Sequence, residues 1–400
     1  MTADKVLEKM VGMPLVEFFV KSLPANKPIC LFGFGADGRQ IYSVMQAKGI
    51  KVSCICDNGV EEVSAKTNMK IVSPENAVAM YPDAFFVIGS SKYCYEMALQ
   101  LVKLGIGYEQ LIMYDLMVIC EYHAEFVKKG GNKLEYLAAK YYDITGIRAN
   151  LNMPTTFNEK MMVAMVDDSD EYCLWRSRLT DKYLVRKWVA EKIGEEYLIP
   201  LLGVWNHPDE IDFAQLPSKY VLKTTHGCGW NIVVDNKTVV DYDLIRIKLS
   251  RWLKIDFADV NFEEHYRYIV PSLICEEYIE NSDGDIQDYK VFCFNGEPKY
   301  IMYLCNRKKG LRMAFYDLHW HRMPFVYTYP QYKGEVPKPY NLDKLLAISR
   351  SLCRGFKNVR IDWYILNDGS IKFGEMTFTS CAGMAKWEPK LWDNILGDLV

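Results

Sequence analysis

The sequence predicts an α/β protein, and three stretches predict it. Between residues 28 and 115 apolar strands alternate with helical segments, the pattern of a parallel sheet with helices on its faces. The first strand-to-helix turn of that series carries Gly33-x-Gly35-x-x-Gly38. Further on, 359–378 reads as two apolar-rich runs around Asn367-Asp368-Gly369-Ser370. Asp-Gly between such runs is the strongest short-range hairpin signal.

Bulk properties set the bounds. The 400 residues allow two or three domains and a sizeable core. Lys and Arg total 48 against 51 Asp and Glu, so no nucleic-acid surface is expected. No apolar run reaches 18 residues, so no membrane insertion is expected. The first residues are amphipathic and carry acids, unlike the basic-then-apolar layout of a signal peptide. The 12 cysteines are scattered without a CxxC pair, and Cys54 with Cys56 is too few for zinc. Reduced, mostly buried thiols in a cytoplasmic protein are the expectation.

Taken in order, 28–34, 51–57, 84–90 and 110–115 read as strands, and 36–48, 74–81 and 92–104 as helices. Asp57 ends the second strand, 19 residues after Gly38. Glycines of this spacing let the backbone approach a pyrophosphate at a helix N-terminus, and the acid suits a ribose hydroxyl. A nucleotide or nucleotide-sugar ligand at Gly33, Gly35, Gly38 and Asp57 is therefore expected; a tight turn without a ligand is the alternative. This part resembles the small Rossmann-like modules attached to bacterial sugar-modifying and polysaccharide enzymes. The expected domains are 1–118, a helical connector at 119–140 with turn signals at Gly130-Gly131-Asn132, and 141–400.

In the second part, 220–224 reads as a strand bearing Lys223. Thr224-Thr225-His226-Gly227-Cys228-Gly229 is a polar turn, and 232–235 a second strand. Such a flap can fold over phosphates with its backbone N–H groups. It is no Walker loop, because GK[ST] and a following helix are absent. Lys182 stands at the expected start of an amphipathic helix running to Ile193, with Asp181 or Thr180 as N-cap. The 273–279 run reads as a buried strand, which sends Glu276 and Glu277 to opposite faces. Asp283-Gly284-Asp285 is either a dense turn or the metal-binding DxD of a nucleotide-sugar glycosyltransferase. Asp288, Lys290 and Phe292 alternate onto one face, as an ion pair or as site lining. His319 and His321 are expected on one strand face, with no third ligand for zinc.

The hairpin has the sharpest consequence. With Asp368 and Gly369 as a two-residue turn, Tyr364 faces Phe373, Asp362 faces Glu375 and Arg360 faces Thr377, all on one side of the sheet. Opposed residues hold their Cβ atoms roughly 5 Å apart, where like charges destabilise. The two acids need a counter-charge. Arg360 supplies part of it, and a divalent cation such as Mg²⁺, which favours one or two carboxylates plus substrate phosphates, would supply more. A solvated ion-pair cluster is the other reading.

Several stretches carry a family resemblance: PTTFNEK (154–160), LTDKYLVRKWV (179–189), YVLKTTHGCGWN (220–231), CEEYIE (275–280), DYKVFCFNGEPKYI (288–301), FYDLHWHRMPF (315–325) and VRIDWYILNDGSIKFGEMTF (359–378). In this order they resemble the TupA-like ATP-grasp family, associated with teichuronopeptide and capsular polysaccharide synthesis. The resemblance implies an α+β ATP-grasp domain over the last 260 residues or so. It also implies ATP and Mg²⁺ as cofactors, and carboxylate–amine ligation through an acyl phosphate. By the same resemblance Lys223 and Lys182 contact the nucleotide, as do Thr225, Gly227 and Gly229 of the flap. Glu276, Glu277, Tyr278 and Ile279 line the adenine and ribose. Asp362, Glu375 and Thr377 hold the metal, with Thr377 standing where many members carry Asn. Arg360 steadies the transferring phosphoryl group, and Ser380–Gly383 shapes the acceptor end. The implied substrates are a uronic acid and an amino acid or amino sugar. The rival expectations are a glycosyltransferase using Asp283 and Asp285, and a non-catalytic nucleotide-sugar-binding scaffold.

Overall fold

Apolar runs of four or five residues punctuated by helices build the N-terminal sheet of the computed structural model, which describes residues 1–24, 26–59, 69–167, 171–280, 286–306 and 310–400. The strands are β1 (Ile29–Phe32), β2 (Val52–Cys56), β3 (Ile71–Val72), β4 (Phe85–Ile88) and β5 (Leu111–Met113). They are all parallel, in the order β3-β2-β1-β4-β5. β1 is buried along its whole length, as a parallel strand covered on both faces must be. Cys30 and Phe32 face one apolar cluster with Ala98 and Leu101; Ile29 and Leu31 face the other with Ile41 and Met45. The flanking helices Ala36–Ala47, Pro74–Met80 and Cys94–Lys103 lie where the alternation predicts them. Ser73 caps the second through its hydroxyl, 3.3 Å from the Asn76 amide.

This sheet belongs to a compact unit of residues 4–131 and 241–255. The second segment was expected in the other domain. Its helix Tyr242–Trp252 buries Ile247 in the same cluster as Phe32 and Phe86. Arg251 also grips buried Asp115 through Nε and Nη2 at 2.7 and 3.0 Å. The compact units therefore do not follow boundaries at 118 and 140.

The other unit comprises residues 1–3, 132–240 and 256–400. One antiparallel sheet is built from β6 (Leu201–Trp205), β7 (Tyr220–Thr224), β8 (Asn231–Val234) and β9 (Leu273–Glu277), in the order β6-β9-β7-β8. A second contains β10 (Asp288–Phe294), β11 (Glu297–Cys305), β12 (Arg312–Tyr316), β14 (Asn358–Ile365) and β15 (Ile371–Thr377), in the order β12-β11-β10-β14-β15. β13 (Val326–Tyr327) pairs with β16 (Trp387–Glu388).

Alternation gives the five-stranded sheet two different faces. Tyr289, Val291, Ile361 and Trp363 turn toward helix Leu342–Cys353, where Leu345 and Leu352 complete an apolar core. The Trp363 indole is fully buried and donates to Ser349 Oγ at 3.0 Å. Lys290, Phe292, Arg360 and Asp362 turn the other way.

The hairpin register is confirmed at Arg360↔Thr377 and Asp362↔Glu375 and corrected nearer the turn. Tyr364 lies opposite Lys372, not Phe373, and Phe373 lies opposite Trp363, its side chain in the core. A bulge between Asp362 and Trp363 separates the two stretches. His319 and His321 also depart from expectation. β12 ends at Tyr316, and both histidines sit on the turn beyond it, exposed, where Asp317 accepts from their amides.

Candidate functional site

Arg360, Asp362, Glu375 and Thr377 share one face of the hairpin and are joined into one network. Asp362 is buried, and both its oxygens are taken by Arg360, Nε to Oδ1 at 2.7 Å and Nη2 to Oδ2 at 2.8 Å. The same Nη2 reaches Glu375 Oε1 at 3.1 Å and Thr377 Oγ1 at 3.0 Å. Thr377 Oγ1 donates to Glu375 Oε1 at 3.0 Å. Arg360 Nη1 donates to Ser380 Oγ at 3.1 Å.

Lys290 completes the charge balance. Strand β10 lies beside β14 with Lys290 opposite Asp362, and its Nζ donates to Asp362 Oδ2. The sequence left Lys290 undecided between an ion pair and site lining; it does both. Burial works to raise the Asp362 carboxyl, but Arg360 and Lys290 outweigh it and hold the group below the usual carboxylate range. Burial likewise opposes the Arg360 charge, and Asp362 outweighs it.

Lys290, Arg360, Asp362 and Glu375 line a cavity of about 330 Å³ together with residues of the four-stranded sheet. Lys223 on β7 and Glu276 on β9 meet there, Nζ to Oε2 at 2.5 Å. Arg186 takes the other oxygen of Glu276 at 2.9 Å. Arg186 lies within LTDKYLVRKWV, where the sequence reading assigns it no role; on helix Val185–Ile193 its Nη2 also donates to the Ile199 carbonyl. Glu277 is exposed on the opposite face, as alternation requires. Tyr278 and Ile279 follow the strand's end, and the Tyr278 ring lies under Lys219 Nζ.

Lys182 stands on the turn before its helix, which starts at Val185 rather than at Lys182. Neither Asp181 nor Thr180 is its N-cap, which is Leu184 without a side-chain cap bond; Asp181 instead braces the preceding turn, accepting from the Tyr183 and Leu184 amides at 2.8 and 3.0 Å. Lys182 Nζ reaches the Gly227 carbonyl in the flap. Burial pushes its ammonium below the ordinary range, against the pull of Glu375 and Cys228.

The flap is a hairpin between β7 and β8 as expected, but its residues divide the work differently. Thr225 is fully buried, and its hydroxyl accepts from the Ser272 amide at 3.0 Å, so it braces the loop. Gly227 packs so tightly on the Trp230 ring that a Cβ would lie 2.4 Å away. Trp230 stands edge-on to His226 and Phe257, at 5.4 and 5.0 Å. Gly229, at φ +73°, reaches the cavity lining with Cys228. Ten of the twelve cysteines are buried; the two exposed ones, Cys228 and Cys381, both line this cavity.

Among the described residues no group of three or more His, Cys, Asp or Glu could hold a metal by itself. Asp283 and Asp285 lie outside the described residues.

In the parallel-sheet unit the glycine turn is built as its spacing predicts. Gly33 takes φ +91°, and a Cβ on Gly38 would lie 1.9 Å from the Gly33 carbonyl oxygen. Asp57 accepts from the Phe34 amide at 2.7 Å and the Gly59 amide at 3.0 Å, so the acid shapes the turn itself.

The sequence matches the family described as TupA-like ATPgrasp over residues 159–400. No curated protein matches it. Among solved structures, N5-carboxyaminoimidazole synthase from Aspergillus clavatus, in complex with ADP, is 14% identical over 88% of this chain and 70% of that one, with a TM-score of 0.28. L-amino acid ligase from Bacillus licheniformis is 10% identical over 88% and 68%, with a TM-score of 0.33. D-alanine-D-alanine ligase from Coxiella burnetii is 12% identical over 50% and 48%, with a TM-score of 0.29. At such TM-scores these likenesses decide nothing about this chain.

Proposed function

The chain belongs to the TupA-like ATP-grasp family, and from that premise we propose that this ATP-dependent ligase activates a carboxylate as an acyl phosphate and delivers it to an amine. The observation that carries the reading is the Asp362–Glu375 pair, set in one cavity with Lys182, Lys223, Lys290 and Arg360. Arg186, Glu276 and Asp288 line the same cavity, so five cations meet four acids there, a mixed lining that suits a triphosphate with its counter-ion better than it suits a neutral ligand.

The donor set fits Mg²⁺. Two carboxylates and a hydroxyl are hard oxygen ligands, and this ion takes the rest of its shell from water and phosphate oxygens. Asp362, Glu375 and Thr377 would hold it, where it would neutralise charge on the terminal phosphates. The remaining work falls to side chains of this chain. Lys223 and Lys182 bind the triphosphate, Lys223 exchanging its Glu276 partner for a phosphate oxygen. Glu276, still held by Arg186, is then placed for the ribose. Arg360 cannot swing away, because Asp362 grips it through two nitrogens. It therefore presents a fixed positive charge where charge builds up on the transferring phosphoryl group. The flap and Trp230 exclude water from that end.

In the finer reading the carboxylate belongs to a uronic acid and the amine to an amino acid or amino sugar, in bacterial capsule or cell-surface polysaccharide assembly. The family resemblance supports this choice. The Gly33–Gly38 turn is proposed to take a nucleotide-sugar, supported by the close packing of Gly38 on the Gly33 carbonyl and by the open space beside Gly35, where an added Cβ would meet nothing within 4 Å.

The test is ADP and phosphate release from Mg-ATP by the purified chain, against uronic acids paired with amino acids or amino sugars. Release should require both partners and collapse in Glu375→Ala. A chain that neither binds Mg-ATP nor responds to that substitution is not a ligase of this kind.

A further inference from the structure

Behind the cavity wall sits a carboxylate that the chemistry above does not use. Glu263 is buried, and its Oε1 accepts from the Thr379 hydroxyl at 2.5 Å. Thr379 is buried too, and the turn Ser380–Gly383 begins at the next residue. Ser380 Oγ accepts from Arg360 Nη1, and Cys381 lines the cavity.

That turn is strained. Cys381, Ala382 and Gly383 are successively left-handed, at φ +51°, +49° and +66°. Residues with a Cβ avoid this region, and a run of them is rarer still. Such backbone persists only where its surroundings hold it. One anchor is Gly383, which packs so closely on helix Phe157–Val166 that a Cβ would lie 2.9 Å from the Asn158 carbonyl oxygen. The other is Thr379, tied to Glu263.

We propose that Glu263 is a positioning residue: through Thr379 it holds the Ser380–Gly383 turn, and through Ser380 the Arg360 guanidinium, in place at the cavity.

The groups that act on Glu263 are few. The Thr379 hydroxyl and the Asn261 side chain bond to it, and Lys140, whose Nζ donates to Asn261 Oδ1 at 2.6 Å, is the cation that acts on it. Tyr266 and Cys228 feel its charge. Burial outweighs the favourable partners and raises the carboxyl to about 7. An ionised carboxylate accepts a stronger hydrogen bond than a neutral one. The hold on the turn is therefore tightest above neutral pH and loosens as Glu263 takes up its proton.

Cys381 reports on the turn directly. In the full chain carrying Cys228→Ser, the rate at which Cys381 reacts with 5,5′-dithiobis(2-nitrobenzoate) is measured from about pH 6 to about pH 9, spanning the carboxyl's titration. Thr379→Val should react about fivefold faster than that parent, the size of one lost hydrogen bond, and Thr379→Ser should match the parent. Glu263→Gln should react faster than the parent at the alkaline end and at the same rate at the acid end. Taking the ratio of the two rates cancels the thiol's own titration. Equal rates for Thr379→Val, Glu263→Gln and the parent at every pH overturn the proposal, as does a Thr379→Ser as fast as Thr379→Val. Should Thr379→Val fail to fold, the near-isosteric Glu263→Gln carries the test alone. The proposal rests on the ligase reading only for what the turn borders. Mg-ATP binding is measured separately on the chain without any substitution, and its absence there would sink that reading while leaving the labelling result standing.

Discussion

Glu375 faces Asp362 across the β14–β15 pair because two departures from a simple hairpin cancel. The loop holds three residues rather than two: the Leu366 amide donates to the Ser370 carbonyl at 2.9 Å, and Gly369 takes φ +81°. Taken alone, that loop would slide the strands by one residue and turn Glu375 into the core. The bulge at Gly374 slides them back.

Gly374 is therefore expected to tolerate deletion better than enlargement. A Cβ there would lie 3.0 Å from the Asp362 carbonyl oxygen and 3.3 Å from the Tyr364 ring. Gly374→Val should cost roughly 1–3 kcal/mol and most of the turnover. Removing Gly374 leaves residue 375 opposite 362 and should keep turnover within about tenfold. Denaturant melts and phosphate release on both variants decide the matter; a valine variant as stable and active as the parent would refute the strain argument.

Asp362 and Glu375 should separate stability from activity. Asp362→Ala leaves Arg360 and Lys290 without their buried partner and should cost about 3–5 kcal/mol. The Glu375 side chain is 34% exposed, so Glu375→Ala should change stability by no more than about 1 kcal/mol. Both should abolish Mg-ATP-dependent phosphate release. A well-folded Glu375→Ala with normal turnover would remove the acid from the site.

Lys290→Met should lower turnover about 10²–10³-fold, the scale for one preorganised electrostatic donor. Its fold should survive, because Asp362 keeps both bonds from Arg360. A turnover loss below about threefold would make the lysine a structural ion-pair partner only.

Stability should fall between acid and alkaline pH on account of Glu263. Its carboxyl rises from an ordinary 4.5 to about 7 in the fold. A group whose folded value is raised contributes stability that is complete below the lower value and is lost as pH passes the higher one. Glu263→Gln removes that dependence. Relative to the parent it should gain up to about 3 kcal/mol on going from pH 4 to pH 9, read from urea midpoints at each pH. A stability difference that stays flat with pH contradicts the raised carboxyl.

The sequence alone determined what lies within reach of a few neighbouring residues. Alternation and turn chemistry located four of the five strands of the parallel sheet, missing only the two-residue β3, and also the Gly33–Gly38 turn, the flap between β7 and β8, and the two acids on one hairpin face. Tertiary structure decided the rest, because contact across strands depends on which faces bury together rather than on local preference. It set Lys290 beside Asp362, 72 residues away, and Arg186 beside Glu276, 90 residues away. Burial of Ile247 drew helix Tyr242–Trp252 to the parallel sheet, and Thr379 met Glu263 across 116 residues. Each of these partners is chosen by the packing of the whole unit, and no spacing in the chain announces it.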